Sequence, residues 1–201
     1  MYDFAQAHKE IELRFLATLR IVNFDRDEVD VAIRFGLGQD KDVYSRPLIE
    51  EWMTPMMTPE MAEECDTPEK LAQATLIHDD SISFFKGPTG WAAWCKAAEL
   101  EIDTSHGPRF SQADHAIDAA TAGAGVVLGR VSLATRALEA GRLVAPFAVG
   151  LISEAQFRFI CPKGHEKRPH IAAFEAWVLD EIQTSGKFAK GRQLVHAGEF
   201  L

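Results

Sequence analysis

The chain has 201 residues, of which 47% are hydrophobic, 25% charged and 9% aromatic, with 14 Gly, 9 Pro and 3 Cys; this composition excludes disorder, a collagen repeat and a disulfide scaffold. Thirty acidic against 21 basic side chains give a formal charge of -9, so the surface repels phosphate backbones and anionic lipid and does not grip DNA by itself. A chain of this length holds one large core or two lobes of about a hundred residues each, because domains commonly run to roughly 100–150 residues.

Cys65, Cys95 and Cys161 are odd in number, widely spaced and form no C-x-x-C pair. That pattern points to reduced, buried thiols and away from zinc. No stretch approaches the roughly 18 uncharged apolar residues of a membrane span, and residues 1–10 lack the charged-then-apolar layout of a signal peptide. The expected location is the cytoplasm.

In chain order, Phe4, Ala5 and His8 stand at helical spacing, and residues 11–16 then alternate apolar with polar, so a helix is expected to hand over to a strand. The helix has no capping residue and no strand before it, which is the pattern of a chain that has lost its beginning. Residues 30–35 read as a strand ending at Gly36, and 48–58 as a long extended segment. Pro55 within it marks an edge position or the point where the strand leaves one sheet. Thr67 and Pro68 open a short helix ending near Gln73, and 75–78 form a short strand. Residues 91–100 make an Ala-rich helix with Trp91, Trp94, Cys95 and Ala98 on one face. Arg109 and Phe110 close a strand, after which Ser111 and Asp114 have the spacing of a capping box for a helix through Ala122, ended by Gly123. A buried strand at 126–128, a helix at 133–139, strands at 143–146 and 156–161 and a long helix at 169–182 follow, the last with Ile171, Phe174, Val178 and Ile182 as its apolar stripe. Residues 186–201 are polar and weakly patterned and are expected to fray. Strands alternating with helices define an α/β class with mostly parallel sheets and ligands at strand C-terminal ends.

The chain carries no G-x-x-x-x-G-K-[ST], no G-x-S-x-G, no H-E-x-x-H and no paired Cys-His ligand set, so an enzyme of those classes is not expected and no catalytic residue is assigned. The glycines of Ala122-Gly-Ala-Gly-Val126 follow a helix and precede a strand, the reverse of the order that binds a dinucleotide phosphate. His78, Asp79 and Asp80 could supply metal ligands or a base, but neighbours on an extended chain point in opposite directions and no third partner is implied; no metal or cofactor is expected. Ser111 as an N-cap gives its hydroxyl to the helix, yet the same helix start presents N–H donors at a strand C-terminal end, which is an anion site. Arg34, at the end of another strand, adds a charge-assisted fork for a carboxylate.

Several short motifs recur in one order. They are Asp30-Val-Ala-Ile-Arg-Phe-Gly36, Thr67-Pro68 before Leu76-Ile-His78, Trp91-Ala-Ala-Trp94, Gly107-Pro-Arg-Phe-Ser111, Ala122-Gly-Ala-Gly-Val-Val-Leu-Gly-Arg130, Gly141-Arg-Leu-Val-Ala-Pro-Phe147, and Pro169 with Ala173-Phe174 before Trp177. The series, over roughly residues 1–182, resembles the effector-binding domain of LysR-type transcriptional regulators, in the subgroup typified by the glycine-cleavage activator and the β-lactamase regulator. The resemblance implies an α/β fold of two Rossmann-like subdomains joined by two crossover strands, like a type 2 periplasmic binding protein, with a small-molecule cleft between them. It places subdomain I at 1–52 plus 158–182, subdomain II at 53–157, a C-terminal tail at 183–201, and crossovers at 52–57 and 153–157. The family's N-terminal winged helix-turn-helix is absent from this chain. Two positions depart from the family pattern: Glu28 stands where it usually has Gly, and Gln112 where it often has Asp.

The function implied is effector sensing and dimerisation in a DNA-binding regulator, not catalysis. The implied partners are an anionic small-molecule effector, further copies in a homodimer or tetramer, and promoter DNA through the absent N-terminal domain only; no membrane is involved. In the dimer, residues 4–15 would meet the helix at 113–122 of a partner. The effector contacts are expected at Arg34, His78, Ser111 and Gln112, each at or just past the C-terminal end of a predicted strand, with Thr18 and Phe157 as wall residues on the family pattern. A transporter's solute-binding protein shares the fold and is the alternative.

Overall fold

The computed structural model describes residues 1–18, 20–38, 42–83 and 90–200. In chain order the elements are α1 (Tyr2–Ala7), β1 (Ala32–Gly36), β2 (Val43–Ile49), β3 (Trp52–Met56), α2 (Pro59–Glu64), β4 (Leu76–Asp79), α3 (Trp91–Ala97) and β5 (Arg109–Phe110). There follow α4 (Ala113–Thr121), β6 (Val126–Arg130), α5 (Val131–Glu139), β7 (Val149–Ile152), β8 (Gln156–Pro162), α6 (Pro169–Ile182) and β9 (Gln193–His196). They form two units, one of Met1–Ile49 with Ala155–Thr184, the other of Glu50–Glu154 with Ser185–Leu201. Each sequence-based boundary, after residues 52 and 157, lies three residues beyond the observed one.

The first unit is built on a three-stranded antiparallel sheet in the order β1-β8-β2. Phe159, Cys161 and Ile171 form its buried centre, with Val31, Tyr44, Leu48 and Phe174 packed around them. The helix α6 starts on Pro169, whose missing N–H has no intrahelical partner to lose at that position. Phe4 of α1 is fully buried with its ring 5.3 Å from Phe174 and 5.6 Å from Trp177. The strand expected at 11–16 does not form. Its alternation marks two faces, but among the described residues no strand pairs with it, and Phe15 and Leu16 are exposed. Conversely β2 escapes the sequence reading because Pro47 interrupts it; the proline is tolerated at the sheet edge, where the register shifts between Pro47 and Ile49.

The second unit holds a six-stranded sheet in the order β5-β4-β6-β3-β7-β9. Its pairs β4·β5, β4·β6 and β7·β9 are parallel, whereas β3 runs antiparallel to both β6 and β7. The expectation of mostly parallel sheets is therefore corrected: β3 enters against its neighbours, and the first unit's sheet is wholly antiparallel. Every residue of β3 and β6 is buried, as befits strands covered on both faces. Pro55 sits in β3 despite that central position. Ser153 N donates to the Glu51 carbonyl at 2.8 Å, so alternate residues of β3 face β7, and pairing with β7 ends at Met53. Beyond that point the Val149 carbonyl of β7 accepts from Thr54 Oγ1 and Trp94 Nε1, so the missing N–H of Pro55 does not orphan that acceptor.

On one side of this sheet α4 and α5 bury Ala116, Ile117, Ala120, Val131, Ala134 and Ala137 against Ile77 and Val127. Of the predicted stripe of α3, Trp91, Trp94 and Cys95 are buried, while Ala98 is the half-buried C-cap and Ala93 is buried in addition. Gly125 has φ +154, and a Cβ there would lie 2.3 Å from the Thr75 carbonyl oxygen, so the glycine pair between α4 and β6 serves chain geometry. Residues 143–146 form only a single bridge, Met57 to Val144, and the strand stands later at 149–152. The tail also differs from expectation. Residues 193–196 add β9 beside β7, and Arg192 donates from Nε to the Phe188 carbonyl at 2.9 Å and from Nη2 to the Ala145 carbonyl at 2.6 Å. Period-2 patterning in four residues is too short to signal this strand; its partner supplies it. The three cysteines are free and buried, and burial pushes the Cys95 and Cys161 thiols up to about 11.

Candidate functional site

In the second unit the polar groups gather at the C-terminal ends of the parallel strands β4, β5 and β6, the edge where open α/β sheets bind ligands. Arg130, last in β6, reaches Asp79, last in β4, with Nη2 to Oδ2 at 3.2 Å and both side chains only 7% exposed. The same Nη2 donates to Ser81 Oγ at 2.8 Å, and Asp79 Oδ1 accepts from Ser81 N at 2.9 Å. Asp80 is paired with Arg109 at 3.0 Å on the surface. Asp79 and Asp80 are thereby committed to arginines rather than to a cation, and among the described residues no group of three or more His, Cys, Asp or Glu is arranged for a metal.

His78 is buried, its backbone N–H bonded to the Pro108 carbonyl at 2.9 Å and its Nε2 3.0 Å from the His106 carbonyl oxygen. Its ring is tied to the loop before β5. Ser111 and Gln112 link β5 to α4. The capping box expected from Ser111 does not form, because α4 begins one residue late: Gln112 is the N-cap, Ser111 lies outside the helix and Asp114 falls at the second helical position. Gln112 makes no side-chain cap bond. Among the described residues the exposed Ser111 hydroxyl has no hydrogen-bond partner, which leaves the donors of the first turn of α4 open to an external acceptor.

A second buried carboxylate, missed in the sequence, closes another helix start of this unit, that of α5. Glu51 is 1% exposed; Oε1 accepts from Ser132 N and Trp52 N at 3.2 Å each, and Oε2 accepts from the Ser132 hydroxyl. It thus occupies the first turn of α5 as an internal anion. Its only sequence signal was an acidic residue before a run of apolar ones. Burial holds the Glu51 carboxyl above its ordinary value, against the hydrogen bonds from Ser132 and the charge of Arg130. A carboxyl raised in the folded state binds more protons there than when unfolded, so its contribution is greatest below the unfolded value and is lost as pH rises through the folded one. Glu51→Gln removes this titration. Urea unfolding of both proteins from about pH 4 to 8 should show wild-type stability falling relative to the variant as pH rises, and a constant difference would refute it.

In the first unit, Arg34 of β1 stands directly opposite Arg158 of β8, and Phe35 opposite Phe157, with ring centroids 4.9 Å apart. Successive residues point to opposite faces of a strand, so Arg34 and Phe157 lie on different faces of this sheet. Thr18 is exposed, its Oγ1 accepting from Arg20 N at 3.1 Å. Hence His78, Ser111 and Gln112 belong to the second unit, Thr18, Arg34 and Phe157 to the first. Arg158, absent from the sequence-based set, carried only the signal of a charged residue inside an aromatic strand; its position opposite Arg34 needs the register.

The pattern of the LysR substrate binding domain matches residues 1–183. The chain is 33% identical over 181 residues to the glycine cleavage system transcriptional activator of Escherichia coli (strain K12), covering 88% of this chain and 57% of that protein. It is 30% identical over 178 residues to the HTH-type transcriptional activator AmpR of Rhodobacter capsulatus, covering 89% and 59% respectively. The fold matches the effector domain of the transcriptional regulator AmpR of Pseudomonas aeruginosa with a TM-score of 0.72 at 25% identity, over 94% of this chain and 88% of that one. The chain therefore spans less than two thirds of the length of the regulators it resembles. These relatives are transcriptional regulators by name, which sets aside both the transporter alternative and an enzyme. Among the described residues no helix is long and apolar enough to cross a membrane. With two α/β units linked by chain crossings and a match over 183 residues, the protein belongs to the LysR substrate-binding domain family, built as a type 2 periplasmic-binding-protein-like fold.

Proposed function

We propose that this chain is the effector-sensing and dimerisation domain of a cytoplasmic DNA-binding regulator, and that its effector is a small anionic metabolite. The observation that carries the reading is the start of α4: an exposed Ser111 and an N-cap Gln112 without a cap bond, just past the end of a parallel strand. A carboxylate there would accept from the Ser111 hydroxyl and the first-turn N–H groups. His78, near the end of the neighbouring strand β4, would be a further contact within this unit. Promoter contacts would come from chain outside the 201 residues, since the net charge of -9 disfavours DNA. Effector occupancy then biases one arrangement of a homodimer, through α1 and α4, by no more than its difference in affinity for the two states.

Calorimetry with a panel of amino acids and small carboxylates tests this. Once a ligand is found, Ser111→Ala should weaken it by roughly 10- to 150-fold, the worth of one hydrogen bond to a charged group. The thermal midpoint should barely move, because the hydroxyl is exposed and holds no cap. Unchanged affinity would move the effector elsewhere.

A further inference from the structure

We propose that the C-terminal tail completes a separate anion site in the second unit, a pocket that takes a small organic carboxylate, with Lys190 and Arg192 as its positive groups. The pocket holds about 420 Å³ and is lined by residues 145–148 ahead of β7 and by Lys187, Phe188, Lys190, Gly191 and Arg192 ahead of β9. That volume lies within the usual range of small-ligand sites, about 300–1,000 Å³. Five of the nine lining residues lie beyond residue 183, where the family pattern ends, so that pattern does not account for the site. It is also remote from the start of α4. Ser111 follows β5 at one margin of the six-stranded sheet, whereas the pocket precedes β7 and β9 at the other; from β5 to β9 is five steps, or roughly 24 Å at about 4.8 Å per step.

The wall of this pocket is positive and fixed. Arg192 is half-buried, with its guanidinium 5.6 Å from the Trp52 ring centroid. Its Nε donates to the Phe188 carbonyl at 2.9 Å, Nη1 to the Phe147 carbonyl and Nη2 to the Ala145 carbonyl at 2.6 Å. Carbonyl dipoles hold such a cation in place without neutralising it, and one N–H on each Nη remains. Burial pushes the Arg192 guanidinium below its ordinary value, as it does for a desolvated cation that has no counter-ion. Among the described residues no carboxylate lies within 4 Å of Arg192 or of the exposed Lys190, whereas Lys187 is paired with Glu139 at 2.6 Å. None of the lining residues is acidic, and Phe147 and Phe188 set aromatic carbon beside the cations. Two cations without counter-ions, one of them a held fork, select an anion. The aromatic wall beside them selects an apolar body attached to it.

The test follows the backbone amide resonances of Phe147, Ala148, Phe188 and Gly191 by NMR in the 201-residue chain. The probes are sodium benzoate, sodium acetate and inorganic phosphate, against sodium chloride at equal ionic strength. Benzoate should give saturable shifts, with an affinity about tenfold above that of acetate for the buried ring. Lys190→Glu, an exposed change that leaves the carbonyl bonds of Arg192 in place, should weaken benzoate by about tenfold or more while thermal unfolding stays cooperative. Arg192→Met should abolish saturation; because it also frees three carbonyls, Lys190→Glu decides the matter if that variant does not fold. No saturable shift with benzoate, full benzoate affinity in Lys190→Glu, or acetate binding as tightly as benzoate overturns the proposal, as does saturation by phosphate alone. Ser111→Ala should leave benzoate affinity unchanged; a loss there would put the anion at the start of α4 and overturn the separate site while the sensing function stands.

Discussion

Arg130→Ala is expected to destabilise the second unit by about 3–5 kcal/mol, because it strands the carboxylate of Asp79 in a site where both side chains are only 7% exposed. The loss exceeds that of a surface pair, for which about 0–1 kcal/mol is usual and which Asp80 with Arg109 exemplifies. The charge that remains is the cause, so taking it away as well should recover stability: Asp79→Asn combined with Arg130→Met should unfold at higher urea than Arg130→Ala alone. Urea unfolding of the three proteins measures this. A single-variant loss under about 1 kcal/mol would mean that water reaches the pair and screens it. The bridge joins the ends of the neighbouring strands β4 and β6, with β5 on the other side of β4, so its rupture should loosen the edge that presents Ser111.

Trp94→Ala should cost about as much, roughly 3–5 kcal/mol, as full truncation of a buried aromatic does. Trp94 is 0% exposed, with Trp91 at 6.1 Å edge-to-face and Phe147 at 6.0 Å, and its Nε1 donates to the Val149 carbonyl at 3.1 Å. Volume and hydrogen bond can be separated here. The same carbonyl also accepts from Thr54 Oγ1 at 3.0 Å, so Trp94→Phe leaves no orphaned acceptor and should cost only about 1–2 kcal/mol. Thermal unfolding of both variants decides the matter; equal losses would refute the primacy of packing.

How far the chain could be read before its structure follows from the kind of information each element carries. Helices α3, α5 and α6 were legible because their apolar stripes are local, and β6 because five consecutive residues are buried. Residues 11–16 misled because alternation describes a strand without supplying its neighbour. The short β7 and β9 were invisible for the converse reason, since each is defined by what lies beside it. The same division governs the candidate site residues. Ser111 and Arg34 could be singled out from strand ends alone, whereas the capping register of Ser111 shifted by one residue. Arg158 meets Arg34 only through the register of strands more than a hundred positions apart, and Glu51 is held by Ser132, which no local pattern encodes.

The pairing of β9 with β7 has a practical consequence for anyone choosing where to end this chain. The family pattern stops at residue 183, yet residues 193–196 form the outer strand of the six-stranded sheet, and Arg192 stacks 5.6 Å from the Trp52 ring centroid. A protein ended at the family boundary would present β7 as a bare margin of unpaired N–H and C=O groups, with hydrophobic Leu151 and Ile152 within it. Such a margin is a template for sheet-to-sheet association, so the shortened form would be prone to self-assembly for reasons unrelated to ligand or dimer, and the last eighteen residues belong to the solubility of the domain.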